Sequence, residues 1–173
     1  GTVSSGTVAV LLTSGNAATA TVPASVTFAP GQTAASFPIT VLDNTAIDGT
    51  RVVSFTANVP GWTTATANLT VTDNETNSIF LYSSSVNEGG TNSMTVAIGG
   101  TLPTNLTINL ASSNTARLTV PATVVIPFGQ TYGYFNISAP DNPTADGTAS
   151  VAVTASATGF LTGTGNVQVY DND

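Results

Sequence analysis

The chain has no cysteine, no histidine and no lysine, and its only cations are Arg51 and Arg117. Each absence closes a branch of chemistry. Without His or Cys there is no Ser–His–Asp triad, no thiol nucleophile and no ordinary zinc site. Without Lys there is no Schiff base, no phosphate-binding Walker loop and no Lys–Asn isopeptide cross-link. Two cations against nine acids leave a net charge of −7, which argues against nucleic acid as a partner, because phosphate recognition needs clustered Lys and Arg. Disulfides are excluded as a stabilising device. No apolar run approaches membrane-spanning length, so no insertion into a membrane is expected.

What is present is 173 residues at 41% hydrophobic content, enough for one or two small cores. Thr and Val are abundant and favour strands over helices. An internal repeat organises the chain. Residues 6–75 align with 104–173 at a constant offset of 98 and without a gap. Thr21-Val22-Pro23-Ala24 returns as Thr119-Val120-Pro121-Ala122, and Gly31-Gln32-Thr33 as Gly129-Gln130-Thr131. Asp48-Gly49-Thr50 returns as Asp146-Gly147-Thr148, and Gly61-Trp62 as Gly159-Phe160. Apolar and polar residues alternate in Phe37-Pro38-Ile39-Thr40-Val41 and in Asn166-Val167-Gln168-Val169-Tyr170, the period of a half-buried strand. Turn signals at Pro30-Gly31, Asp48-Gly49, Gly99-Gly100 and Asp146-Gly147 separate such stretches. The expectation is an all-β chain of tandem immunoglobulin-like antiparallel β-sandwiches. One repeat occupies residues 1–75 and the other residues 76–173, with almost no linker between them. The first repeat has no counterpart of residues 77–98, so it is expected to lack its N-terminal strands. Either a longer array or a neighbouring molecule would supply them.

The nine carboxylates follow the same register. Asp43, Asp48, Asp73 and Glu75 recur as Asp141, Asp146, Asp171 and Asp173, and Glu88 is the ninth. Acids confined to repeat-equivalent positions suit ligands better than a solubilising coat. Calcium takes about six to eight oxygen ligands from carboxylates, amides and carbonyls, and each unit offers four or five carboxylates. Asn44, Asn74, Asn142 and Asn172 add neutral oxygens. Magnesium is a poorer match, since it resists dehydration. Asp-Asn and Asp-Gly are also ordinary turn formers, so repetition by duplication of turn residues is the competing reading.

Ser85-Val86-Asn87-Glu88-Gly89-Gly90, Pro127-Phe128-Gly129-Gln130-Thr131, Asp146-Gly147 and the closing Val169-Tyr170-Asp171-Asn172-Asp173 together resemble the Calx-beta domain. That domain occurs in sodium–calcium exchangers and in large bacterial surface proteins. The resemblance implies a Ca2+ cluster at one end of each sandwich. Its ligands would be Glu88, Asp141, Asp146, Asp171 and Asp173 in the second repeat. In the first they would be Asp43, Asp48, Asp73 and Glu75. Asn16 and Asn114 stand near a loop where some relatives carry an aspartate, which removes a charge from each site. The resemblance further implies a non-catalytic structural or adhesive segment of an extracellular or cell-surface protein or filament. Its partners would be neighbouring repeats of the same or identical chains, and a surface glycan or protein.

Aromatics supply the alternative. Tyr132 and Tyr134 alternate on one strand, and Trp62 follows a glycine; exposed and contiguous, they would suit a carbohydrate- or protein-binding module. Trp62 and Phe160 otherwise cap the cores. A Ca2+-sensing domain is a third reading, and an enzyme is not expected. Arg51 and Arg117 occupy non-equivalent repeat positions and are expected to make local salt bridges.

Overall fold

A computed structural model describes residues 6–173 and contains no helix among them. The first unit runs to Asn44 and resumes over Gly49–Asp73; the second comprises Thr45–Asp48 and Asn74–Asp173.

In the first unit, β1 (Val8–Ser14), β3 (Ser25–Phe28), β5 (Arg51–Asn58) and β6 (Ala65–Val71) form one sheet in the order β3-β1-β5-β6. The two-residue strands β2 (Ala20–Thr21) and β4 (Thr40–Val41) pair separately. In the second unit, the five-stranded sheet runs β11 (Thr123–Ile126), β10 (Leu106–Ser112), β13 (Ala149–Ser156), β14 (Gly163–Tyr170) and β8 (Ser84–Asn87). A second sheet runs β12 (Tyr132–Ser138), β9 (Thr91–Ile98) and β7 (Ile79–Leu81). The chain is thus all-β, built as immunoglobulin-like sandwiches. Among the described residues, all paired strands are antiparallel except the edge pair β14–β8.

The repeat is visible as register. Val8 pairs with Phe28 and Leu106 with Ile126; Arg51 pairs with Val71 and Ala149 with Val169. Period-two alternation builds the second core. On β14, Val167 and Val169 are buried between exposed Asn166, Gln168 and Tyr170. Met94, Val96 and Ile98 from β9 meet Ile108, Val151, Val153 and Val167 of the facing sheet in one apolar cluster. Gly163 and Gly165 let the layers approach closely: a Cβ at Gly163 would lie 2.4 Å from the Ile79 carbonyl oxygen.

The first unit differs at the face that β9 covers in the second. Among its described residues there is no counterpart of β7, β8 or β9. Phe37, Ile39 and Val41 alternate as an inward face should, yet they are 37%, 43% and 50% exposed. Their equivalents Phe135, Ile137 and Ala139 are 6%, 0% and 1% exposed. The reason is that β9 pairs with β12 along seven residues in the second unit, whereas residues 34–39 pair with no strand among those described. Among the described residues its buried hydrophobics are Leu12, Ala20, Val53 and Phe55; the last three form one cluster, with Val22, Leu69 and Val71 partly covered against it.

Candidate metal centre

At one end of the second unit, the β8–β9 turn, the loop after β12 and the residues after β14 converge. Glu88 is placed by backbone: its N–H donates to the Tyr170 carbonyl (2.9 Å), and Gly89, with φ of 70°, reverses the chain. Few residues other than glycine adopt this left-handed conformation cheaply. The turn presses against Asp141, whose Oδ1 would be 3.4 Å from a Cβ at Gly89. Asp171 is held by the Gly147 N–H at Oδ2 (2.5 Å) and by the Asp173 N–H at Oδ1 (3.2 Å). These bonds, the Gly147 one foremost, lower the Asp171 pKa below its ordinary value, because both stabilise the charged form.

Glu88, Asp171 and Asp173 bring one carboxylate oxygen each within 4.8 Å of one another. Asp141 and Asp146 stand on the adjoining loop. Asn142 donates its side-chain N–H to Glu88 Oε1 and accepts the Thr144 N–H at 3.0 Å. Glu88 is buried, with a side chain only 1% exposed, and its Oε2 has no hydrogen-bond partner. A buried carboxylate oxygen with no donor, next to two further carboxylates, fits an oxygen-seeking divalent cation. Soft or imidazole-seeking metals do not fit, since the donor set holds no sulfur or nitrogen ligand.

Arg117 makes the salt bridges expected of it, but at the acidic end, where sequence reasoning did not place it. Its guanidinium contacts Asp146, lies 3.9 Å from Glu88 Oε1 and donates to the Gly147 carbonyl at 2.9 Å. Hydrogen bonding to Asp146, with the surrounding acids, raises its pKa further above the ordinary range. It is therefore a permanent cation inside the acidic end, although five carboxylates still outnumber it. In the first unit Thr19 stands at the Arg117 position, and the Arg51 guanidinium reaches Thr19 Oγ1 at 3.4 Å. The two arginines are not repeat-equivalent in sequence, yet Arg51 reaches the residue, Thr19, that stands at the Arg117 position. Nothing in their spacing signals this; it follows from Arg51 starting β5 beside the loop that carries Thr19.

The first unit repeats one element of the site: Asp73 Oδ2 accepts the Gly49 N–H at 2.9 Å, as Asp171 does from Gly147. Asp43 belongs to this unit, while Asp48 and Glu75 belong to the second, where Glu75 packs against Gly100. Among the described residues, the one group of three converging acids is Glu88, Asp171 and Asp173.

The aromatic candidates are also placed. Tyr132 and Tyr134 are both exposed on β12, their rings edge to face with centroids 5.5 Å apart. Phe160 packs against the second core, as expected of a cap. Trp62 does not cap the first; it is 66% exposed.

No protein-family model matches the chain, and no curated protein sequence matches it. Solved structures align with it at low identity. Domains 4 and 5 of the S-layer protein SbsC align over 91% of this chain and 70% of theirs, with 20% identity and a TM-score of 0.41. The apo-form Calx CBD1 domain aligns over 56% of this chain and 97% of its own, with 13% identity and a TM-score of 0.46. The D00–D0 domain of Intimin aligns over 94% of this chain and 85% of its own, with 14% identity and a TM-score of 0.36.

Proposed function

We propose that this chain is a non-catalytic structural segment of a secreted or cell-surface protein, whose second unit is stiffened by Ca2+ at its acidic end. The observation that carries the reading is Glu88: a buried carboxylate with one oxygen unpartnered, converging with Asp171 and Asp173. Glu88, Asp171 and Asp173 would hold the ion, with Asp141, Asp146 and the Asn142 amide at hand. Bound calcium would supply charge neutralisation and tie the β8–β9 turn to the residues after β14. The chain's own residues do the rest. The Gly147 N–H orients Asp171, the Tyr170 carbonyl fixes the Glu88 turn, and Arg117 ties Asp146 to the same end. A ligand bound only by the folded state stabilises it by about 2.7 kcal/mol at a hundredfold excess over Kd. Stiff ends of this kind let stacked units transmit length and reach in an extracellular stalk or filament. The test is thermal unfolding of the whole chain in EDTA, calcium and magnesium. The reading expects a calcium-specific rise in midpoint that Glu88→Gln removes; equal midpoints in all three would refute it.

A second reading is favoured by one observation, the exposed edge-to-face pair of Tyr132 and Tyr134. Two adjacent rings on a rigid strand suit stacking against a glycan or a protein loop. Glycan-array binding lost in Tyr134→Ala would support it, and no binding on the array would remove it.

A further inference from the structure

We infer that the open face of the first unit is an acceptor for an added β-strand of the β9 type, laid antiparallel beside residues 34–41. The occupant is an extended polypeptide segment with large apolar residues at alternate positions, patterned as Met94, Val96 and Ile98 are.

The second unit shows what such a face receives. There β9 pairs antiparallel with β12, Phe135 opposite Met94 and Gly133 opposite Val96. By the 98-residue offset the acceptor positions are Phe37 and Ala35. Phe37, Ile39 and Val41 present the apolar alternation that β12 buries, but in solvent. Behind them lies a cleft of about 110 Å3 lined by Leu12, Val22, Phe37, Phe55, Ala57 and Ala67. At the equivalent of Ala67, Gly165 faces Leu81 and Met94: a Cβ there would sit 2.8 Å from Leu81 Cβ and 3.0 Å from Met94 Cε. The cleft is therefore the place that Met94 fills in the second unit. A second cleft, of about 280 Å3, is lined by Val10, Phe28, Thr33 and Trp62 among others. Thr131, the equivalent of Thr33, accepts the Ile98 N–H.

Backbone direction agrees. In the second unit the Ser138 N–H bonds Thr119, on the side away from β9, while the Ala139 N–H bonds Gly90, on the β9 side. N–H direction alternates along a strand, so odd positions of this segment donate toward β9 and even positions away from it. Pro38 is at an even equivalent, Asn136. Its missing N–H falls on the outer edge and leaves the acceptor edge intact, where proline is tolerated.

Two substitutions set the limits of the occupant. Ala65 and Ala67 replace Gly163 and Gly165, whose missing Cβ atoms make room for β7. A β7-like strand would have to lie farther out, whereas a β9-type strand needs only the flexible tip of its Met94-like side chain, 3.0 Å from that Cβ, to shift. Among the described residues a second copy of this chain offers no free β9, because that strand is already paired with β12 and β7.

The test grafts a copy of residues 84–98 ahead of Gly1, which stands at Gly99 by the offset and so preserves the β9–β10 spacing. Trp62 is the only tryptophan and borders the second cleft, so its emission reports occupancy. The inference expects the emission to shift to shorter wavelength. It also expects hydrogen exchange at Phe37 and Ile39 to slow by about tenfold or more. A graft with Asp at the positions copied from Met94 and Val96 should do neither. Unchanged emission and exchange with the native graft would overturn the inference. Equally, an ungrafted chain that sediments as a dimer with Phe37 and Ile39 already protected would overturn it in favour of a second copy. Neither result depends on calcium, so failure here and failure of the metal reading are separable.

Discussion

Ile137 and Ile39 are the same residue of the repeat in two environments, and truncating each to alanine gives a calibrated comparison. Ile137 is 0% exposed and Ile39 is 43% exposed. Ile→Ala removes three carbons, worth about 0.8 kcal/mol per buried methylene or about 2.4 kcal/mol at Ile137. The closed cavity left behind raises the total to about 3–4 kcal/mol. At Ile39 a little over half of the side chain is covered, which reduces the transfer part to roughly 1.4 kcal/mol. No closed cavity forms there, because the site opens to solvent. Ile137→Ala should thus cost two to three times as much as Ile39→Ala, by these approximate figures. Native-state hydrogen exchange reads each unit separately, through amides of β13 for the second and β5 for the first. Equal costs at the two positions would refute the reasoning, since they would mean that Ile39 is as enclosed as Ile137.

Acid should weaken the second unit through Asp171. Its folded-state pKa is depressed below 3.8, so its contribution is full above that value and is lost as pH falls through the folded-state pKa. In EDTA, Asp171→Asn should flatten the decline of the unfolding midpoint at low pH; an unchanged acid slope would discount this bond network. Gly163→Ala should destabilise the second unit by about 1–3 kcal/mol, because its Cβ would meet the Ile79 backbone oxygen at 2.4 Å. Urea denaturation measures this, and Ala65→Gly at the equivalent position of the first unit should relieve no such clash.

Much of the architecture was legible because duplication and period two are sequence properties. The 98-residue offset that matches Gly31-Gln32-Thr33 to Gly129-Gln130-Thr131 reappears as matching strand registers. Glu88 and Asp171 were legible as acids at turn positions. Alternation misled at Phe37-Pro38-Ile39, since a strand's pattern states which face is apolar and not whether anything covers it. That the salt bridges of Arg117 fall at the acidic end was illegible for a related reason. Its partners Glu88, Asp146 and Gly147 come from separate loops that only the sandwich topology gathers. The orphan oxygen of Glu88 depends on burial and on where Asn142 and Arg117 point, neither of which spacing encodes. Thr45–Asp48 joining the second unit rests on tertiary pairing, Ala46 beside Thr101, with no local signature.

The central claim is that Glu88, Asp171 and Asp173 hold calcium, and calorimetric titration of the whole chain with CaCl2 tests it most directly. The account predicts a saturable binding heat that magnesium does not reproduce and that Glu88→Gln abolishes while the fold stays intact by circular dichroism. Absence of any calcium heat at millimolar concentration, or a heat unchanged by Glu88→Gln, would contradict it.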